Sequence, residues 1–199
     1  MYPRLSRAME PAIAERRSQL LAGLSGAVIE VGAGDGMNFA HYPAEVTRVV
    51  AVEPQPYLRG LARGNAERAP VPIEVVAGAG EHLPVRDGAF DAAVASLVLC
   101  SVADPEKAVA ELFRAIRAGG QLRFFEHVRA TTSGLRRFQG LLDATVWPLV
   151  AGGCHTGRDT AAAIARTGFT GVRFERFEFP DFRLPLPTSP HIIGVASRP

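Results

Sequence analysis

Residues 28–36 read Val-Ile-Glu-Val-Gly-Ala-Gly-Asp-Gly, an apolar strand that ends in an acid and runs into glycines at alternate positions. A buried strand feeding so tight a turn constrains the fold more than any other feature of the chain. Gly32, Gly34 and Gly36 strip the turn of side chains, so main-chain N–H groups can meet a ligand at close range. The spacing narrows the class. A dinucleotide-binding turn, G-x-G-x-x-G, would need its third glycine at position 37, which is Met37. A P-loop would need G-K-[ST] after the glycines, and none follows.

Further landmarks follow downstream. Thr47–Val52 is a short β-branched run, hence a second strand, ending in Glu53, 21 residues beyond Gly32. An acid at that strand tip can accept both hydroxyls of a ribose through its two oxygens. A third strand, Ile73–Val76, leads into the loop Ala77–Pro84. Phe90-Asp91 and the apolar run Ala92–Leu99 predict a fourth strand. Asp104-Pro105-Glu106 then starts a helix by N-cap, N1 proline and first-turn acid. That helix is expected to run to about Ala118, stop at Gly119-Gly120 and give way to a fifth strand, Gln121–Phe125. Five strand–helix repeats thus cover roughly residues 26–128, which is an α/β pattern.

Composition enters as a limit. At 199 residues and 47% hydrophobic content the chain fills one α/β domain with a full core and is short for two. We read 1–24 as an N-terminal helical cover, 26–128 as the ligand-binding half, and 129–199 as an acceptor-side insertion with the final strands. The net charge is +2 and the basic residues are scattered, so nucleic acid is not an expected partner. The longest apolar stretch, Ala92–Ala103, is too short for a bilayer and reads as a buried central strand. No stable membrane insertion is expected, and no signal-peptide h-region stands at the N-terminus. Two cysteines, Cys100 and Cys154, fit a reducing, cytoplasmic setting better than a disulfide.

The glycine turn with Glu30, the acid Glu53 and the later loop resemble the first motifs of the class I S-adenosylmethionine-dependent methyltransferases. That resemblance implies a single-domain, Rossmann-like fold with a mostly parallel seven-stranded sheet and helices on both faces. It also implies S-adenosyl-L-methionine as cofactor, held by Glu30, Gly32, Ala33, Gly34, Asn38, Glu53, Pro54, Gly80, Glu81, His82, Leu97 and Val98. The family usually places Asp after the first glycine of the adenine loop. Ala79 stands there, so adenine recognition falls to backbone groups and Glu81. An early Tyr closes over the cofactor in many of these enzymes, and Tyr2 is the candidate.

A narrower resemblance rests on Asn38-Phe39, Leu97–Val102, Glu126-His127-Val128, Gly152–Arg158 and Pro190-His191-Ile192. Together these are similar to the methyltransferase-like family that includes the mammalian alkyl-thiol S-methyltransferases and bacterial relatives. Those mammalian proteins carry a hydrophobic N-terminal anchor; this sequence shows none, so their membrane association is not expected to carry over.

Methyl transfer from a sulfonium needs chiefly alignment in a dry pocket. A thiol acceptor must ionise, and a hydroxyl would need a positioned base. His127, just past strand five, is the candidate catalytic residue. Cys100, ending a buried strand, reads as packing and not as a nucleophile. No histidine or cysteine spacing points to a metal. Leu135–Val150, with Phe138, Leu141, Leu142, Val146 and Trp147, has helical period and could wall an apolar pocket for a small-molecule acceptor. Thr156 and Asp159 resemble a capping box for a helix from about Gly157, and Arg16 and Arg17 read as solvated. The resemblance makes an apolar thiol the best guess for the acceptor. A lipid head group, quinone or phenol, or a catalytically silent cofactor-binding domain, stay open, as does the oligomeric state.

Overall fold

The structure is a computed structural model describing residues 13–145, 147–180 and 186–199. Tyr2 and Val146 lie outside the described residues. Seven strands form one sheet in the order β3-β2-β1-β4-β5-β7-β6. They are β1 (Gly26–Val31), β2 (Val46–Val52), β3 (Ile73–Val76), β4 (Phe90–Ser96), β5 (Ile116–His127), β6 (Thr170–Glu178) and β7 (Pro190–Ser197). The first five pair in parallel; β7 runs antiparallel between β5 and β6. The helices are α1 (13–21), α2 (Pro56–Ala66), α3 (Pro105–Ala115), α4 (Ser133–Asp143), the short α5 (Trp147–Val150) and α6 (Thr160–Arg166).

Strand periodicity sorts the core. Ile29, Val31, Val50, Val52, Ala93 and Ala95 face α3 and α6, against Leu112 and Ile164. Val28, Val49, Ala51, Ala92 and Val94 face the other side, against Leu20 and Leu21 of α1 and Ala62 of α2. Both faces are covered, which is why the central strands read as unbroken apolar runs. Glu30, two residues from Val28, points to the α1 face. The chain leaves β1 towards β2 on one side and returns to β4 on the other. A crevice therefore opens beyond the C-terminal ends of β1 and β4, where open α/β sheets bind ligands.

Several expected boundaries are corrected. Strand four stops at Ser96, and Leu97 takes φ 55°, left-handed for a bulky residue. The run 97–103 is therefore a loop over the crevice, not more strand. Helix α3 ends at Ala115, because buried Ile116 has already turned extended to join the sheet beside Phe90. Helix α6 starts at Thr160 with Asp159 as N-cap, accepting from Ala162 N; Thr156 is bound elsewhere. The Asp104 cap is as read: its carboxylate accepts from Glu106 N and Lys107 N.

Candidate active site

A cavity of about 690 Å³ occupies the crevice. Its walls include the glycine turn, the tip of β2, the loop after β3, the loop after β4, and Ala151-Gly152. Of the sequence-predicted residues, Gly32, Gly34, Glu53, Pro54, Gly80, Glu81, Leu97 and Val98 line it. A smaller cavity of about 250 Å³, near Arg48 and Phe90, holds none of them.

The turn is built from backbone bonds. Gly32 N and Ala33 N donate to Val52 O at 2.8 and 3.2 Å, tying the turn to β2. Gly32 and Gly34 both have positive φ, but their surroundings differ. A Cβ on Gly32 would fall 2.1 Å from Val98 Cγ2, whereas one on Gly34 would meet nothing within 4 Å. Gly34 is therefore a bare patch of cavity wall, which suits close approach of a ligand. Glu53 sits at the tip of β2 with Oε2 accepting from Gly34 N and Oε1 from Gln55 N, both at 2.9 Å. The carboxylate is thus fixed in place, with further lone pairs for hydroxyl donors.

Glu30, Ala33 and Asn38 stand beneath the turn, away from the cavity lining. Asn38 Nδ2 donates to Glu30 Oε1 at 2.8 Å, and Tyr42 OH donates to Oε2 at 2.7 Å. Arg17 of α1 donates to Asn38 Oδ1 at 2.7 Å. It is buried, not solvated as its sequence context implied; Arg16 lies over the Phe177 ring. Burial holds the Glu30 carboxyl above its ordinary range, outweighing the lowering from Tyr42, Asn38 and Arg17. A raised folded-state value means this group's contribution to stability is complete below about 4.5. It is lost as pH rises through the raised value. Glu30→Gln, which cannot titrate, is expected to flatten that decline in urea-unfolding stability; parallel pH curves for the two proteins would remove Glu30 as its cause.

Glu81 Oε1 accepts from Ala103 N and Asp104 N, joining the loop after β3 to the loop after β4. His82 is exposed, and its backbone N–H donates to Ala79 O. The loop after β4 is held from below by Glu126, fully buried on β5. Its Oε1 accepts from Val98 N and Leu99 N at 3.0 and 2.9 Å, and its Oε2 from Cys100 N at 3.3 Å. Burial pushes its carboxyl up to about 7 against those three donors. Arg158 closes the other side, donating to Leu99 O and Val102 O.

His127 ends β5 opposite His191 of β7, with ring centroids 4.3 Å apart. His191 is a buried sheet residue: Nδ1–H donates to Ser189 O, and burial holds the ring neutral with a pKa of about 3. His127 does not line the cavity. Its Nδ1 lies 3.7 Å from both Cys100 Sγ and Cys154 Sγ. Cys154 is pulled down to about 5, first by the Cys100 thiol donating to it and then by His127 and the Trp147 indole. Cys100 is pushed up correspondingly. Both shifts share one first cause, the hydrogen bond between the two thiols. Short-range spacing missed this cluster because its members are 27 residues apart on three elements.

Helix α4 does not form the expected apolar wall. Phe138 and Leu141 are 49% and 61% exposed, as are Leu149 and Val150 of α5 at 85% and 74%. Its inward face is polar. Gln139 receives Ala130 N–H and donates to Thr156 O and Pro187 O. Asp143 accepts from Thr156 N and Gly157 N. The helix serves to fix the loop carrying Cys154.

The sequence profile of the methyltransferase domain matches residues 29–124. Thiol S-methyltransferase TMT1B of Mus musculus is 39% identical over 195 residues, covering 94% of this chain and 79% of the relative. The chain belongs to this family of S-adenosylmethionine-dependent methyltransferases. Thiol S-methyltransferase TMT1A of Homo sapiens is 37% identical over 185 residues, covering 89% and 74%. Among solved structures, a SAM-dependent methyltransferase from Thermotoga maritima, a possible histamine N-methyltransferase, superposes with TM-score 0.73 at 20% identity. It covers 100% of this chain and 94% of that one, and likens the fold alone. The methyltransferase uses S-adenosyl-L-methionine, and the bare glycine wall beside the fixed Glu53 carboxylate fits that cofactor. No helix among the described residues is long and apolar enough to cross a membrane.

Proposed function

We propose that the enzyme methylates a small, fairly apolar thiol in a reducing, cytoplasmic setting. The observation that carries this is the poverty of bases among the described residues around the cavity. Its titratable lining groups are Glu53 and Glu81, both engaged by backbone amides, and the exposed phenol of Tyr57. Such a pocket suits a nucleophile that ionises by itself more than a hydroxyl, which would need a placed base. The relatives named as thiol S-methyltransferases support the same acceptor class.

When bound, S-adenosylmethionine supplies a methyl group already activated as a sulfonium. The chain's own residues bind and align. Glu53 accepts from the ribose hydroxyls, with Pro54 beside it. The backbone of Gly32, Ala33 and Gly34 lies against the cofactor, and Glu30 and Asn38 hold that turn in shape. Gly80 and Glu81 offer the adenine edge a backbone surface, with His82 capping the loop from outside. Leu97 and Val98 press on the reacting end and exclude water. Alignment of this kind is worth about 7–11 kcal/mol in well-oriented intramolecular systems.

With saturating cofactor, the rate is expected to rise with pH as the acceptor ionises, the profiles of a series of alkyl thiols keeping the order of their pKa values. His127 stands outside the cavity lining, so His127→Ala should lower turnover by less than about 100-fold, below the range of a general base. A profile indifferent to the acceptor's pKa would retire the thiol reading.

A further inference from the structure

We propose that Cys100, His127 and Cys154 form a three-ligand zinc site whose fourth position is offered to the sulfur of the acceptor. The metal site stands on geometry alone, while the placement of the acceptor rests on the thiol reading above.

The donor atoms of the three residues lie within 4.8 Å of one another. His127 Nδ1 is 3.7 Å from each sulfur. In a tetrahedral site with Zn–S of about 2.3 Å and Zn–N of about 2.0–2.1 Å, the S···N edge is about 3.6 Å. Two edges of the trio are thus already at the length of a closed site, and the third is within 4.8 Å. Each ligand is also independently held. Cys100 is fixed through its amide on Glu126 and its carbonyl, which accepts from His155 N. His127 is fixed in the β5–β7 ladder. Cys154 is fixed by the loop that Gln139 and Asp143 hold.

The donor set matches the ion in charge and softness. Two thiolates neutralise a divalent cation, the imidazole completes three protein ligands, and Cys₂His is a set that leaves zinc an open position. Cys100 and Cys154 are 1% and 7% exposed, so the site is shielded from bulk solvent. Ser101, next to Cys100, and Gly152, two residues before Cys154, line the cavity, so the site backs onto the acceptor side. A thiol that coordinates there releases its proton to solvent. Its sulfur then bonds to the methyl carbon as the carbon–sulfonium bond breaks, the electron pair staying on the donor's sulfur. The neutral thioether formed is a poor ligand and leaves.

The test uses the full chain, reduced and stripped by a chelator, then titrated with Zn²⁺ against a chromophoric competitor and separately with Co²⁺. One equivalent of zinc is expected, together with a sulfur-to-cobalt absorption band. Cys154→Ser and Cys100→Ser should each weaken zinc binding by at least about 100-fold, beyond the range of losses from outer-shell changes. Retained S-adenosylmethionine binding verifies the fold of each variant. If the buried Cys100→Ser fails that check, Cys154→Ser and His127→Gln carry the comparison. An added alkyl thiol should shift the cobalt band and, with zinc present, move the pH–rate midpoint below the thiol's value in water. Substoichiometric zinc, or zinc uptake unchanged in the folded variants, overturns the site even if thiols are methylated. A cobalt band indifferent to thiol overturns the acceptor's placement. One-equivalent binding with no turnover of thiols retires the thiol reading and leaves the metal site standing.

Discussion

Gly34→Leu is expected to weaken S-adenosylmethionine binding at least about 100-fold, roughly 2.7 kcal/mol, while the protein stays folded. The reason is where the new side chain goes. A Cβ at 34 meets nothing within 4 Å, so it projects into the cavity the cofactor fills. The left-handed φ of 59° adds a backbone penalty of about 1–2 kcal/mol, a fall in melting temperature of about 2–8 °C for a chain this size. Gly32→Leu should do the reverse. Its Cβ would stand 2.1 Å from Val98 Cγ2, so the loop after β4 must move or the fold must give. Calorimetric titration and thermal unfolding of the two variants separate the effects. Normal cofactor affinity in Gly34→Leu would place the cofactor elsewhere.

Glu126→Ala should be the most destabilising single change around the cavity, by about 3–5 kcal/mol. Its carboxylate holds the amides of Val98, Leu99 and Cys100, and an unsatisfied buried donor costs about 1–3 kcal/mol. Part of the loop can relax around the shorter side chain, so the total is set below three full penalties. Leu97, in its left-handed conformation, would lose the bonded loop that keeps it there. Glu126→Gln retains one accepting oxygen and should lose about 1–2 kcal/mol. Urea unfolding measures both; equal and small losses would show that the loop is held by Arg158 alone.

What the sequence revealed and what it hid follow from distance along the chain. The glycine turn, Glu53 and the Asp104 cap are local devices, each legible within a few residues, and the structure has them where the pattern put them. The loop after β4 was illegible because 92–103 is one apolar run. What ends the strand is a carboxylate on β5, 26 to 28 residues later. The cysteine–histidine cluster was hidden for the same reason. Helix α4 misled in another way: its apolar stripe resembled a pocket wall, but Gln139 and Asp143, one turn apart, are the residues it turns inward. Arg17 looked solvated because its buried partner Asn38 stands 21 residues away, beyond β1.

Incubation of the purified full chain with methyl-labelled S-adenosylmethionine and a panel of alkyl thiols, phenols, quinols, amines and phospholipids tests the central claim most directly. The label is expected in the thioethers of small apolar thiols, with the other acceptors near background and the transfer abolished in Gly34→Leu. Label in phenols, quinols or phospholipids with the thiols inert would contradict it.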